Sequence, residues 1–183
     1  MQNQAKTPAR VNLSPTASII ICALFIGLTF IFTSAFHVPL AVHGGLVHFG
    51  NVPLLLAAIL FGKKLGAISG LGMVLFNLVH AHLTMWAPFT LIISAVMGFT
   101  VGLVMGRRQT LPYFILAMAL AALIRVSGFY FAGVILLGNW IVPLEAIIPN
   151  FAQILLAAPI VWISVKPLRP VIEKMFGGRA NDL

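Results

Sequence analysis

Six apolar runs, separated by short polar or Gly/Pro-containing breaks, occupy most of this sequence. They cover residues 15–36, 51–62, 65–80, 88–106, 111–137 and 143–165. A helix rises about 1.5 Å per residue, so about 20 apolar residues are needed to cross a bilayer. With 61% hydrophobic and 8% charged residues in a chain of 183, a water-soluble domain could not bury so much apolar surface. The sequence therefore predicts an all-α integral membrane protein, a single membrane domain with six transmembrane helices.

The second and third runs are shorter than a full crossing, and the stretch FGKKLG lies between them. We interpret this stretch as a turn because paired lysines would be very costly at mid-bilayer and because two glycines flank them. We therefore expect the second and third helices to be short or tilted. The expected bundle covers residues 15–166, with an N-terminal tail at 1–14 and a C-terminal tail at 167–183.

Lysines and arginines occur at alternate connections between the runs. They are Lys6, Arg10, Lys63, Lys64, Arg107, Arg108, Lys166, Arg169, Lys174 and Arg179. The connections around 37–50, 80–87 and 138–142 contain none. By the positive-inside rule, this pattern predicts a plasma-membrane protein with both termini in the cytoplasm. It also attributes the net charge of +8 to membrane topology and lipid contact, not to a nucleic-acid partner.

One basic residue departs from this pattern, because Arg125 lies in the middle of the fifth run. An arginine inside a membrane protein faces the protein interior or water and needs a partner. Two interpretations stand from the sequence alone. Arg125 is either a structural centre of hydrogen bonding or a contact for a ligand or a gate.

Small residues recur at every fourth position in three places, a spacing that lets helix backbones approach closely in lipid. The two glycine rows are Gly62, Gly66 and Gly70, and Gly98, Gly102 and Gly106. We interpret both rows as internal packing. Ala23 and Gly27 have the same spacing on the first helix, where their neighbours can face lipid or another subunit.

Neutral polar and aromatic residues concentrate in and beside the connections that lack basic residues, on the predicted outer side. Polar groups inside a membrane protein are costly and tend to mark a solute site. Tryptophans beside amides and imidazoles suit a flat heterocycle, which needs stacking area and a few directional hydrogen bonds. The candidate substrate-binding residues are His48, Asn51, Trp86, Asn139, Trp140 and Asn150, followed by His37, His80, Glu145 and Gln153.

Several of these candidates have a structural alternative. Trp86 and Trp140 could belong to the interfacial aromatic belt, and His80 could be a solvated loop residue. His43 and His48 could be metal ligands, but without a nearby cysteine or aspartate they make a weak zinc site, and we expect no metal. The sequence also lacks hydrolase and ATP-binding motifs. We therefore expect no enzyme activity and no bound cofactor in this chain.

Two blocks of the sequence carry a family resemblance. The block GGLVHFGNVPLLLAAILFGKKLGAISGLGMVLFNL (44–78), followed by APFTLIISAVMGFTVGLVMGR (87–107), resembles the substrate-binding S component of energy-coupling factor (ECF) vitamin transporters. It is most similar to the branch assigned to hydroxymethylpyrimidine or to pyridoxine-type vitamins. Asn51 and Asn77 stand where many relatives carry aspartate, so this site is less acidic than theirs.

The resemblance implies a function and a set of partners. An S component captures one vitamin at the outer face and associates with a membrane T component and two cytoplasmic ATPases, which use ATP and Mg. Their hydrolysis drives the S component to topple and deliver the vitamin inward. The resemblance also makes Ala23 and Gly27 the partner-docking surface and predicts a small neutral aromatic substrate. The alternatives are an intramembrane metalloenzyme that uses the histidines and an assembly subunit without a ligand.

Overall fold

The computed structural model describes residues 13–39, 46–106 and 109–176. In this part of the chain there are seven α-helices, a short β-hairpin and two 3₁₀ helices. The α-helices are α1 (Pro15–Ala35), α2 (Asn51–Phe61), α3 (Lys63–Ser69), α4 (Leu71–Val79), α5 (Ala87–Met105), α6 (Leu111–Leu137) and α7 (Ile147–Phe176). The strands are β1 (His37–Pro39) and β2 (Leu46–His48), and the 3₁₀ helices are Ala81–Trp86 and Val142–Ala146.

Four helical segments among the described residues are long and apolar enough to cross a membrane. They are Pro15–Ala35, Ala81–Met105, Leu111–Leu137 and Val142–Phe176. Helices α2, α3 and α4 have only 11, 7 and 9 residues. The described part of the chain is thus mostly helical, with four candidate spans and three short helices, and the expected six transmembrane helices stay a prediction.

The structure differs from the expected elements at three points. The third apolar run is divided at Gly70 into α3 and α4. Helix α7 continues beyond the expected end at residue 165 as far as Phe176, so the start of the expected C-terminal tail is helical. Residues that were expected to form a loop pair instead as antiparallel strands, with His37 opposite His48. Residues 1–12 and 177–183, which make up most of the two expected tails, lie outside the described part.

The ends of the long helices follow local sequence signals. Ser14 caps α1, because its hydroxyl accepts a hydrogen bond from the backbone N–H of Ala17 at 3.2 Å, and Pro15 follows in the first helical position. Helix α6 ends at Gly138, which has a φ of +63°. This left-handed conformation is one that glycine adopts readily at a helix end.

Helix α2 lies at the centre of the bundle. Nine of its 11 residues are buried, and it packs against α1, α3, α5 and α7. A helix that is apolar on all sides requires such a position. The apolar core cluster to which α2 belongs also includes residues of α5, α6 and α7, among them Met97, Val101, Ala121, Ala157 and Val161.

The glycine rows bring α3 and α5 into backbone contact. A Cβ atom at Gly98 would overlap the carbonyl oxygen of Gly66, and one at Gly102 would lie 2.5 Å from the Cα atom of Lys63. One at Gly70 would lie 2.5 Å from the hydroxyl of Ser94. The prediction of internal packing is confirmed for these four glycines.

The two remaining glycines of the rows have other roles. Gly62 has a φ of +93° and alone forms the turn between α2 and α3, because the remaining residues of the expected turn, Lys63 to Gly66, belong to α3. A Cβ atom at Gly106 would meet only atoms of its own segment, the carbonyl oxygens of Gly102 and Leu103.

The two ends of the bundle differ in character. At one end Leu13, Phe61 and Phe176 belong to a single apolar cluster, beside the exposed side chains of Lys63 and Lys64. We call this the basic end. The opposite end carries the β-hairpin and both 3₁₀ helices, and we call it the hairpin end.

Candidate functional site

A cavity opens at the hairpin end between β2 and helices α1, α4, α5, α6 and α7. The space between its walls, the open mouth included, is about 490 Å³. Its lining combines aromatic and apolar side chains with amides, hydroxyls, an imidazole and a guanidinium group. The lining residues are Thr33, Leu46, His48, Met73, Phe76, Asn77, Leu83, Trp86, Thr90, Arg125, Phe129 and Asn150.

Arg125 is the centre of the polar lining. Its side chain is only 2% exposed, and it donates hydrogen bonds to the Oδ1 atom of Asn51 at 3.2 Å and to the Oε1 atom of Gln153 at 2.7 Å. A terminal guanidinium nitrogen also lies 3.2 Å from the Nε2 atom of His48. We call these four residues the Arg125 cluster. They join α2, α6, α7 and β2, so the cluster connects most of the bundle.

The local sequence explains how the cluster is assembled. Asn51 is the first residue of α2, and its side chain is fully buried. Phe129 lies one helical turn after Arg125, and its ring centroid is 4.9 Å from the guanidinium carbon. Residues four positions apart share a helix face, so both side chains of α6 are directed to the same cavity wall.

Gly50 lets the segment before α2 lie directly against α1. A Cβ atom there would overlap the hydroxyl of Thr33 and would lie 3.0 Å from the Nδ1 atom of His48. The backbone N–H of Gly50 donates to that same Nδ1 atom at 3.2 Å. Any larger residue at position 50 would therefore collide with Thr33 and crowd His48.

His48 is held in its neutral form. Burial lowers the pKa of His48 well below the usual range, and the positive charges of Arg125 and His37 lower this pKa further. A neutral imidazole has one N–H donor and one acceptor nitrogen. The backbone N–H of Gly50 lies 3.2 Å from the Nδ1 atom and a guanidinium nitrogen of Arg125 lies 3.2 Å from the Nε2 atom, so only one of these two donors can meet the acceptor nitrogen.

A second polar group lies across the cavity, where α4 meets α5. The side-chain amide of Asn77 donates to the hydroxyl of Thr90 at 2.7 Å, and both residues are buried. The hydroxyl of Thr84 lies 3.5 Å from the carbonyl oxygen of Asn77. This arrangement ties the first 3₁₀ helix to the end of α4.

The structure brings five of the predicted site residues together. His48, Trp86 and Asn150 line the cavity. Asn51 and Gln153 are buried beside it and hold Arg125. Gln153 also donates to the carbonyl oxygen of Leu46, the first residue of β2. Its amide therefore positions both the strand and the arginine.

Two predicted histidines lie beside the lining residue Phe76. The His80 ring centroid is 4.2 Å from that of Phe76, and its Nδ1–H donates to the Phe76 carbonyl oxygen at 2.9 Å. His37 is exposed, its ring is 5.7 Å from Phe76, and its Nδ1–H donates to the carbonyl oxygen of Ser34 at 2.7 Å. Both imidazoles are therefore oriented by backbone carbonyl groups next to the cavity mouth.

The remaining predicted residues lie apart from the lining. Asn139 is exposed, and its Oδ1 atom accepts hydrogen bonds from the N–H groups of Ile141 and Val142 at 2.7 and 3.1 Å, so it closes the turn before the second 3₁₀ helix. Trp140 is 65% exposed. Glu145 is an exposed residue of that same 3₁₀ helix.

Several lining residues were not among the candidates from the sequence. Phe129 could have been found by its spacing of four from Arg125. Thr33 lines the cavity, and Thr29, four positions before it on α1, is buried beside it with a hydroxyl that has no hydrogen-bond partner. Two threonines on one face of an apolar helix were the available signal. Met73 and Phe76 gave no signal, because apolar residues on an apolar helix do not stand out.

No group of three or more histidine, cysteine, aspartate or glutamate side chains is arranged to hold a metal ion in the described residues. The polar lining of the cavity consists mainly of amide, hydroxyl and guanidinium groups. His43, one of the two histidines considered as a ligand, lies outside the described residues.

Two comparisons with known proteins give matches. A family model described as "ECF-type riboflavin transporter, S component" matches residues 14–169, a range that includes every residue of the cavity. A Pyrococcus woesei protein described as "Uncharacterized protein in gap 3'region" is 25% identical over 145 residues, which cover 77% of this chain and 97% of that protein.

Proposed function

Because the chain belongs to the family of ECF-type riboflavin transporter S components, we propose that it captures a flat heterocyclic vitamin and delivers it across the membrane. Membership of the family makes the chain a substrate-binding transporter subunit, not an enzyme. The identity of the substrate, the direction of transport and the driving mechanism are parts of the proposal.

The observation that carries the proposal is the cavity at the hairpin end. Trp86, Phe76 and Phe129 give it aromatic walls, and Arg125 and Asn150 give it polar groups. Ligand sites for ring compounds combine apolar stacking surface with a few placed polar groups. Burying an arginine in an apolar bundle is costly, and a role in solute binding accounts for its position.

Riboflavin is the first candidate substrate, because the matching family model carries its name. Hydroxymethylpyrimidine and pyridoxine, which the sequence resemblance favours, are the competing candidates. All three are flat aromatic rings with hydrogen-bonding edges. They differ in size and in the number of acceptor groups on the ring.

The proposal places the hairpin end outside the cell and the basic end in the cytoplasm. The positive-inside rule supports this orientation, because Lys63, Lys64, Lys166 and Arg169 all belong to the basic end. The proposed partners are an ECF T component and two ATPases that hydrolyse ATP with Mg. On α1, Ala23 is exposed and Gly27 has nothing within 4 Å of its missing Cβ, which supports a docking role for this helix.

Binding of riboflavin, hydroxymethylpyrimidine and pyridoxine to the purified full chain in detergent tests the proposal. Tryptophan fluorescence is a suitable signal because Trp86 lines the cavity. We expect at least one compound to bind with a Kd of about 1 μM or tighter, equivalent to about 8 kcal/mol. Pantothenate, which has no aromatic ring, is the negative control.

Two tryptophan variants show which tryptophan gives the fluorescence change. Trp86→Phe should remove most of the fluorescence change, whereas Trp140→Phe should retain it, because Trp140 is exposed outside the cavity lining. A folded protein that binds none of the three heterocycles would contradict the proposed function. A signal lost in Trp140→Phe and retained in Trp86→Phe would move the site to the loop before the second 3₁₀ helix.

A further inference from the structure

The Arg125 cluster contains more hydrogen-bond donors than acceptors. A guanidinium group has five N–H donors. The acceptors on its partners are the Oδ1 atom of Asn51 and the Oε1 atom of Gln153, and the latter also accepts from the side-chain amide of Asn51 at 3.3 Å. The Nε atom of Arg125 is buried and has no partner. A buried donor without an acceptor is costly.

His48 also faces more N–H donors than it has acceptor atoms. Gly50 donates to its Nδ1 atom, and Arg125 approaches its Nε2 atom at the same distance of 3.2 Å. A neutral imidazole can accept at only one of its two nitrogens. Whichever tautomer forms, one N–H of the ring faces another N–H donor. An acceptor atom placed beside Arg125 and His48 would relieve this contact.

The positive charge of the cluster also favours an acceptor atom on the substrate. The described partners of Arg125 are two amide oxygens, one imidazole nitrogen and the ring of Phe129, and none of them carries a negative charge. Electron-rich oxygen or nitrogen atoms are therefore the groups that this wall of the cavity is built to receive.

We propose that the cavity selects its substrate through a carbonyl edge, with a ring carbonyl oxygen bound by Arg125 and His48. The substrate class is then a heterocycle with ring carbonyls, such as the pyrimidinedione part of a flavin, in preference to an aminopyrimidine. This inference rests on the proposed function and assigns Arg125 a role in specificity.

A matched pair of single-ring compounds tests the preference without altering the protein. 5-Hydroxymethyluracil has two ring carbonyls at positions where hydroxymethylpyrimidine has an amino and a methyl group, and the two compounds are similar in size. In competition against bound riboflavin, we expect 5-hydroxymethyluracil to displace half of the riboflavin at a concentration at least about tenfold lower than hydroxymethylpyrimidine does. A factor of that size is the effect of one hydrogen bond to a charged group. Equal potency or the reverse order would overturn the inference.

Two variants test the residues. Arg125→Met removes every donor of the guanidinium group and should weaken riboflavin binding at least about tenfold. Asn51→Asp keeps a side chain of nearly the same size but places a carboxylate 3.2 Å from Arg125, so it should also weaken binding by occupying the donors. This second variant keeps the test valid if Arg125→Met does not fold.

Lys63→Met is the control, because it removes a cation at the basic end, where Lys63 contacts the ring of Phe99. Its riboflavin Kd should equal that of the unaltered chain. Unchanged affinity in Asn51→Asp, or in folded Arg125→Met, would overturn the inference and leave the proposed function intact. An unaltered chain that binds no heterocycle would overturn both.

Discussion

At the scale of the residue, the site depends on side chains that point inward because of their positions along a helix. Asn51 begins α2, and Asn150 and Gln153 lie three residues apart on α7, so helix geometry places them on the inner face. Asn139 belongs to a loop, where an asparagine can satisfy nearby backbone N–H groups. It does so here with Ile141 and Val142. The sequence could not decide between these two uses of an asparagine.

The neutral state of His48 predicts a loss of stability in acid. Burial lowers the pKa of His48, and the charges of Arg125 and His37 lower it further, so the unfolded chain binds a proton at a pH where the folded chain does not. The contribution of His48 to stability is fully present above a pH of about 6.5. It is lost as the pH falls from there toward the lowered pKa of the folded state.

Thermal unfolding in detergent at a series of pH values measures this effect. We expect the midpoint to fall below a pH of about 6.5 and to fall less in His48→Gln, which does not titrate. His82→Gln changes an exposed imidazole and should keep the full decrease. An identical pH profile in the unaltered chain and in His48→Gln would contradict the prediction.

At the scale of the element, the apolar runs predicted where the helices lie, but not all of their breaks and ends. The division at Gly70 lies where Ser94 of α5 packs closely against the junction of α3 and α4. This tertiary contact cannot be predicted from the neighbouring residues alone. Helix α7 passes Pro167 and Pro170 and is supported there by an ion pair of 2.7 Å between Arg169 and Glu173. Prolines normally argue for a helix end, so the sequence favoured an earlier one.

The contact between α3 and α5 predicts unequal effects of adding one methyl group. In Gly98→Ala, the new Cβ would overlap the carbonyl oxygen of Gly66, which belongs to the backbone and cannot turn aside. We expect a decrease of about 1–3 kcal/mol in the free energy of unfolding, as is usual for overpacking.

Gly27→Ala is the matched control, because nothing lies within 4 Å of its missing Cβ. Alanine stabilises a helix interior relative to glycine by about 0.5–1 kcal/mol, so this variant should be equal to the unaltered chain or more stable. Denaturant or thermal unfolding in the same detergent measures both. A Gly98→Ala protein as stable as Gly27→Ala would refute the backbone contact.

At the scale of the whole molecule, the described lysines between the second and third apolar runs, Lys63 and Lys64, lie at the end of the bundle opposite the β-hairpin. The sequence could predict this because charge placement follows membrane topology and not the details of packing. It could not predict that Arg125 would meet Asn51, 74 residues away. A contact at that separation depends on how four elements pack together.

The proposed orientation predicts which positions an impermeant thiol reagent reaches. In a Cys22→Ser background, Asn139→Cys lies exposed at the hairpin end and should be labelled in intact cells. Lys64→Cys lies exposed at the basic end and should be labelled only after permeabilisation. The opposite result would reverse the orientation of the protein.

The proposed docking face of α1 predicts a separation of two activities. Ala23→Leu and Gly27→Leu add bulk to a surface that is open in the isolated chain and should abolish co-purification with a T component. Riboflavin affinity should stay unchanged, because neither residue lines the cavity. Ala119→Leu, an equal change at an exposed position of α6, should preserve both activities. Intact co-purification in both α1 variants would exclude this surface.

The shortness of α2 bears on how deep the proposed substrate site would lie in the membrane. Its 11 residues extend over about 16 Å, roughly half of a hydrocarbon layer of about 30 Å. With the basic end at the inner surface, as proposed, Asn51 at the other end of α2 would lie near the middle of the bilayer, together with the floor of the cavity. A solute that reached Arg125 would then have passed the outer half of the permeability barrier, and the proposed ATP-driven step would act only on the inner half.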